Sequence, residues 1–376
     1  MLMPQAGNTQ RRTLALLSSL CLFLSAIEYI IPKPLPFMRI GLANLPLLLA
    51  LDIFGPMDFF LLVMVKILGQ GILSGSLFSY VFLFSLAGSL SSAGLMYALR
   101  KLLGQKLAGF AGIGCAGAMS SNAVQLILAR FLIFGASLRY LVPPFLLSGL
   151  ITGITLGIFC EIFCRRSLWY AIHSSGQFSD ANIQKHKNEQ EEALTEISVR
   201  KPEKNSFFEN QRQKRQERWN KRLNNKLLFI IGLIIAAALI LSPSVPICAI
   251  IFLLSCILAW ISGKKNNIAL SLIVMTGIIF FNLLTPYGKV LIEFGSLRIT
   301  QGSLMTGLRK AFTLQGLVML SGACIKSDLR LPGKFGLLLA EAFQLLEKMR
   351  ERKNTIRRGH IIEGIDRLMR ELEATV

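Results

Sequence analysis

Charge is scarce in this 376-residue chain, and acid is scarcer than base. Only 16% of residues are charged, and 21 Asp and Glu stand against 41 Lys and Arg. A soluble domain carries roughly a quarter charged residues, so an ordinary water-soluble globule is excluded. No two aspartates are adjacent; Asp52, Asp58, Asp180, Asp328 and Asp366 are isolated. That removes the aspartate-rich motif that holds Mg²⁺ on a diphosphate, since such hard cations want clustered carboxylate oxygens. A phosphate loop is missing too. The Gly-Lys pairs at 263–264, 288–289 and 333–334 have Leu258, Leu283 and Asp328 where its first glycine belongs. Histidine is limited to His173, His186 and His360. Neither these nor the seven scattered cysteines complete a metal set or a nucleophile–base pair, so no metal, cofactor or catalytic residue is expected.

What the chain has is grease. Hydrophobic residues make up 53%, and the mean hydropathy is +0.54. Apolar runs of about 18 residues or more read as membrane spans. Ten candidates appear, at 13–31, 40–54, 57–73, 77–99, 107–134, 140–164, 226–241, 247–261, 268–284 and 302–325. The first is read as a retained helix, not a cleaved leader. The second is short and reads as tilted or re-entrant. The expected fold is an all-α polytopic membrane protein with about ten transmembrane helices in two bundles, six plus four. The expected divisions are a six-helix module at 1–164, a charged cytosolic linker at 165–225, a second membrane module at 226–325 and a tail at 326–376. In the tail, Leu338, Ala342, Leu345 and Met349 recur at helical spacing among charges. That is an amphipathic helix, suited to a membrane surface or a partner's groove. The net charge of +20 falls mostly beside the spans, where it sets topology and meets anionic lipid. Nucleic acid is not an expected partner; the lipid bilayer is. Arg11 and Arg12 place the N-terminus inside, and counting spans places both termini on the cytoplasmic face of a bacterial inner membrane.

The run "LLVMVKILGQGILSGSLFSYVFLF" carries Lys66 and Gln70 inside apolar sequence. A cation at mid-bilayer costs about 2.5–3.5 kcal/mol on insertion scales unless it faces a cavity or a partner. Pairing with Glu28 or Asp52 is the structural alternative. Asn122 and Gln125 lie three apart, on one helix face. Together Arg39, Asn44, Lys66, Gln70, Asn122, Gln125 and Arg130 are the candidate solute-binding residues, for a small vitamin-like or anionic solute. Gly71 and Gly75 have the spacing of a close helix-packing face.

The stretch "FMRIGLANLPLLLALDIFGPMDFFLLVMVKILGQGILSGSLFSYVFLFSLAGSLSS", with its "RIGLANL" block, resembles the Gx transporter family, also labelled heptaprenyl diphosphate synthase component I. That family is similar to the six-span S components of energy-coupling-factor vitamin transporters. The resemblance covers about 13–164. It implies solute uptake energised by separate ATP-binding-cassette ATPase subunits. It also implies a small-residue track on the first helix, such as Ala15 and Ser19, docking against a T component. Residues 294–325 and 337–359 resemble such a T component, whose cytosolic helix ends in an Ala-Arg-Gly motif that couples to the ATPases. Arg358 and Gly359 match that motif, and Arg357 stands where the alanine would be. The family's second label implies the alternative: a membrane accessory subunit of heptaprenyl diphosphate synthase in menaquinone side-chain synthesis, partnered by a soluble prenyl diphosphate synthase subunit.

Overall fold

The computed structural model describes residues 5–31, 40–174, 225–262, 268–294, 297–324, 333–352 and 360–373. The first unit runs through α1 (Gln5–Ile30), α2 (Leu45–Ala50), α3 (Pro56–Ser74), α4 (Tyr80–Leu107), α5 (Phe110–Ala129), α6 (Val142–Arg166) and α7 (Leu168–His173). The second has α8 (Asn225–Leu241), α9 (Val245–Ile261), α10 (Ile268–Leu283), strands β1 (Val290–Phe294) and β2 (Leu297–Thr300), and α11 (Gln301–Cys324). The tail forms α12 (Gly333–Glu351) and α13 (Ile361–Glu373).

Local chemistry sets several boundaries. Pro56 opens α3, with Asp58 in its first turn, where a carboxylate suits the positive end of the helix. Gly75 closes α3 at φ 63°, a left-handed conformation that costs glycine nothing. Gly75 is therefore a helix terminator. Gly71 does sit in close packing: a methyl group there would lie 2.6 Å from Leu77 and 2.8 Å from Phe82. Arg165 and Arg166 end α6, placing cations at the negative end of that helix.

Five helices, α1 and α3 to α6, contain stretches long and apolar enough to cross a membrane, and α8, α9 and α10 are shorter apolar helices. This supports an all-α multi-pass membrane architecture and does not amount to ten spans. The expected span at 40–54 is a 3₁₀ turn at Leu42–Asn44 followed by the six-residue α2, too short to cross a bilayer. The second unit also contains a β-hairpin, β1 antiparallel to β2. Its signal was two short apolar runs flanking Gly295-Ser296.

Loops of the first unit meet the second at α11 and at the end of α10. Phe78 donates its backbone N–H to Ser321, near the far end of α11, at 3.1 Å. Ser137 meets Thr285 at 2.8 Å. Asn282 bonds the Ile133 carbonyl at 3.4 Å, and Lys310, nearer the start of α11, reaches Asn282. Residues 310 and 321 lie about 16 Å apart along a helix.

The linker expected from 165 onwards begins as folded structure. Arg165 and Arg166 belong to α6, and α7 follows with Trp169 fully buried. Residues 175–224 lie outside the described residues. The tail is amphipathic, as its spacing implies, but its stripe is covered by neither lipid nor a separate protein. Leu338, Ala342, Leu345 and Met349 are buried within the first unit's core cluster. Arg11 pairs with Glu341 at 2.5 Å, and the Ser19 hydroxyl meets the Met349 sulfur at 3.7 Å. The small-residue track at Ala15 and Ser19 is thus buried, with α12 packed on α1.

Candidate functional site

A cavity lies inside the first bundle, lined by Glu28, Asn44, Lys66, Gln70, Ser89, Ser121, Asn122, Gln125 and Thr152, with Gly41, Met96 and Leu156 among the apolar walls. Its volume is about 30 Å³. By the same measure one buried water needs roughly 10–15 Å³, so a larger ligand requires the walls to move apart.

Each wall residue arrives by a different route. The left-handed Gly41 turns the chain into the short helix that delivers Asn44. Lys66, only 2% exposed, projects from α3 and donates its ammonium to the Asn44 side-chain oxygen. Asn122 and Gln125 share one face of α5. Asn122 donates to the Phe145 carbonyl of α6 at 2.8 Å, and Gln125 Nε2 to the Ser121 hydroxyl at 3.0 Å. Glycines make room for both. A methyl group on Gly88 would sit 2.6 Å from the Gln125 amide nitrogen, and one on Gly149 would collide with Asn122. Glu28 is buried and accepts the Ile40 N–H at 2.8 Å.

The Gln125 side-chain oxygen is buried and has no hydrogen-bond partner among the described residues. An orphaned buried acceptor costs about 1–3 kcal/mol. A ligand offering an N–H or O–H would relieve it. The wall thus carries one cation, one carboxylate, amides and hydroxyls, a set for a small hydrophilic ligand.

Five sequence candidates, Asn44, Lys66, Gln70, Asn122 and Gln125, line this cavity. Arg130 does not: it is exposed, and five residues past Gln125 turns it about 140° around the helix. Arg39 lies outside the described residues, as do Arg357, Arg358 and Gly359. Pairing of Lys66 with Asp52 does not occur. Asp52 takes two bonds from Arg100, at 2.7 and 2.5 Å, and one from the Tyr170 hydroxyl at 3.1 Å, at the opposite end of α2 from Asn44. Glu28, named from the sequence only as a pairing partner for Lys66, also lines the cavity; Ser89, Ser121 and Thr152 were missed as lining residues. Single hydroxyls on apolar helices give little sequence signal.

A second polar cluster fastens the tail. Asp366, 1% exposed, accepts the Ser167 hydroxyl at 2.5 Å and the Trp169 N–H at 2.9 Å, capping α7 from another helix. Glu373 accepts the Trp169 indole N–H at 2.9 Å and meets His173 Nε2 at 2.9 Å. Burial pulls the His173 pKa down, but the bonds to Glu373 and to the Trp169 carbonyl outweigh it and leave it raised. Burial likewise pushes Glu373 up, yet His173 and Trp169 hold it below the usual carboxylate value.

Comparison with known families places this geometry. Residues 17–163, which carry the whole cavity wall, match the family model described as heptaprenyl diphosphate synthase component I. Residues 224–327, the second unit, match a domain of unknown function, DUF8519. No curated protein and no solved structure matches the chain significantly. The expected S-component and T-component likenesses thus find no support among the matches, while the synthase label does.

Proposed function

We propose that this chain is a membrane-embedded accessory component that works with a soluble prenyl diphosphate synthase. The single observation carrying this reading is the family match over 17–163. Prenyl transfer itself then falls to the partner, which fits the lack of paired aspartates in this sequence. In this reading the chain brings its partner to the bilayer, where a long prenyl product belongs, and the polar cavity holds a small hydrophilic ligand that reports on or regulates that work. Affinity purification of the tagged full-length protein from its native membrane tests it. Recovery of a soluble prenyl diphosphate synthase subunit is the expected result; its absence from a purification that retains the intact chain contradicts the reading.

A second reading keeps one specific observation in its favour. The Gln125 oxygen and the Lys66 ammonium are polar groups enclosed within a membrane bundle, which suits solute capture for uptake. In that case the vitamin-like or anionic solute occupies the cavity and separate ATP-binding-cassette ATPases supply the energy, with Arg358 and Gly359 as coupling residues. The same purification separates the two, since ATPase subunits in place of a synthase favour uptake.

A further inference from the structure

The second unit carries a charge that its own residues do not balance. Arg309 and Lys310 are adjacent in α11 and half-buried. From residue 225 to 324 the sequence has one acid, Glu293, and it is paired with Arg298 in the hairpin at 3.2 Å. The first unit's acids are engaged elsewhere. Asp52 holds Arg100, Asp58 accepts from Gln10 at 2.6 Å, Glu28 lines the cavity, and Glu161 lies beside Gly109. Among the described residues, no carboxylate pairs with Arg309 or Lys310.

Their depth is informative. Lys310 reaches Asn282, one residue before α10 ends, at 3.3 Å. From Lys310 to Cys324 α11 rises about 21 Å, comparable to the full lengths of α8, α9 and α10. The cations therefore mark one edge of the unit's apolar slab, and Thr313, one turn further on, meets Cys248 in the first turn of α9 at 3.8 Å. Lysine offers three donors, and the one bond to Asn282 is long. Two cations with spare donors at the rim of an apolar slab want a multiply charged oxyanion whose remaining bulk is apolar.

We propose that Arg309 and Lys310 bind the phosphate or diphosphate head of an amphiphile whose tail stays in the bilayer. The source is either a membrane phospholipid or a prenyl diphosphate; both present the same chemistry to the site. The phosphate-binding inference rests on residues of the second unit and is independent of the cavity; only the prenyl source rests on the synthase reading.

The test uses the full-length protein in phosphatidylcholine nanodiscs, titrated separately with geranylgeranyl diphosphate, phosphatidylglycerol and inorganic diphosphate, with binding read by native mass spectrometry. An Arg309→Gln, Lys310→Gln double variant should bind the preferred amphiphile at least tenfold more weakly. Arg309→Lys with Lys310→Arg, which keeps both charges, should bind it within about threefold of the native chain and controls for folding. Preference for geranylgeranyl diphosphate names a prenyl source, and preference for phosphatidylglycerol names a membrane lipid. Equal amphiphile binding by the native and double-Gln proteins overturns the proposal. So does inorganic diphosphate binding as tightly as the amphiphiles.

Discussion

Replacing Asp366 by alanine should release the C-terminal helix from the first unit. Asp366 is almost wholly buried and accepts two hydrogen bonds from α7, one from the Ser167 hydroxyl and one from the Trp169 backbone. Bonds to a charged acceptor contribute about 1.5–3 kcal/mol each, so the pair is worth roughly 3–6 kcal/mol. The third contact, from Arg370 Nε to the second carboxylate oxygen at 3.0 Å, lies between two buried atoms and adds to that figure. What remains to hold α13 is its apolar face of Ile365, Leu368, Met369 and Leu372. At 1.36 kcal/mol per factor of ten, loss of the cap should raise amide hydrogen exchange across 361–373 by about a hundredfold or more. Asp366→Asn, which still accepts, should give a smaller rise. Exchange unchanged in the alanine variant would refute the cap as the element fastening the tail.

The His173–Glu373 pair makes the same contact pH-dependent. The stabilisation from His173, whose pKa is raised, is complete below about pH 6.5 and fades as pH climbs through the raised value. That from Glu373, whose pKa is lowered, is complete above about pH 4.5 and fades as pH falls through the lowered value. After correction for intrinsic exchange rates, α13 should be best protected between about pH 4.5 and 6.5, and His173→Gln should flatten the alkaline side of that profile. Gly153→Val should lower thermal stability by about 2 kcal/mol or more, because even a methyl group there would sit 2.8 Å from the Cys115 backbone; native behaviour in a melting experiment would contradict the close α5–α6 crossing. Arg100→Met should cost about 3–5 kcal/mol by stranding Asp52, and a denaturant titration showing less than 1 kcal/mol would count against it.

Hydropathy made the long apolar helices legible, because lipid demands unbroken apolar length. It failed for 40–54, where apolar residues fill a turn and a six-residue helix packed inside the first bundle. It failed again for α7, hidden at the edge of a charged segment whose Leu168, Trp169 and Tyr170 were the signal. The glycines Gly149, Gly153 and Gly157, four apart on α6, were readable as a close-packing face and were passed over for Gly71 and Gly75. Much of the cavity wall could be read because Lys66, Gln70, Asn122 and Gln125 are too polar for lipid. Arg130 was misplaced since composition alone does not fix which way a helix faces. That the amphipathic tail packs on α1 could not be read at all; spacing defines a stripe but not what covers it.

The central claim is that the cavity of the first bundle holds a small hydrophilic ligand gripped by Lys66 and Gln125. Its most direct test is the small-molecule content of the purified protein, released by denaturation and compared by mass spectrometry between the native chain and Lys66→Met. Loss of one charge-assisted bond, about 1.5–3 kcal/mol, predicts a roughly tenfold or greater drop in a retained polar compound, with the variant still inserted and folded. A retained compound present at equal amounts in both proteins, or no polar compound retained by the native chain under any purification from its own membrane, would contradict the claim.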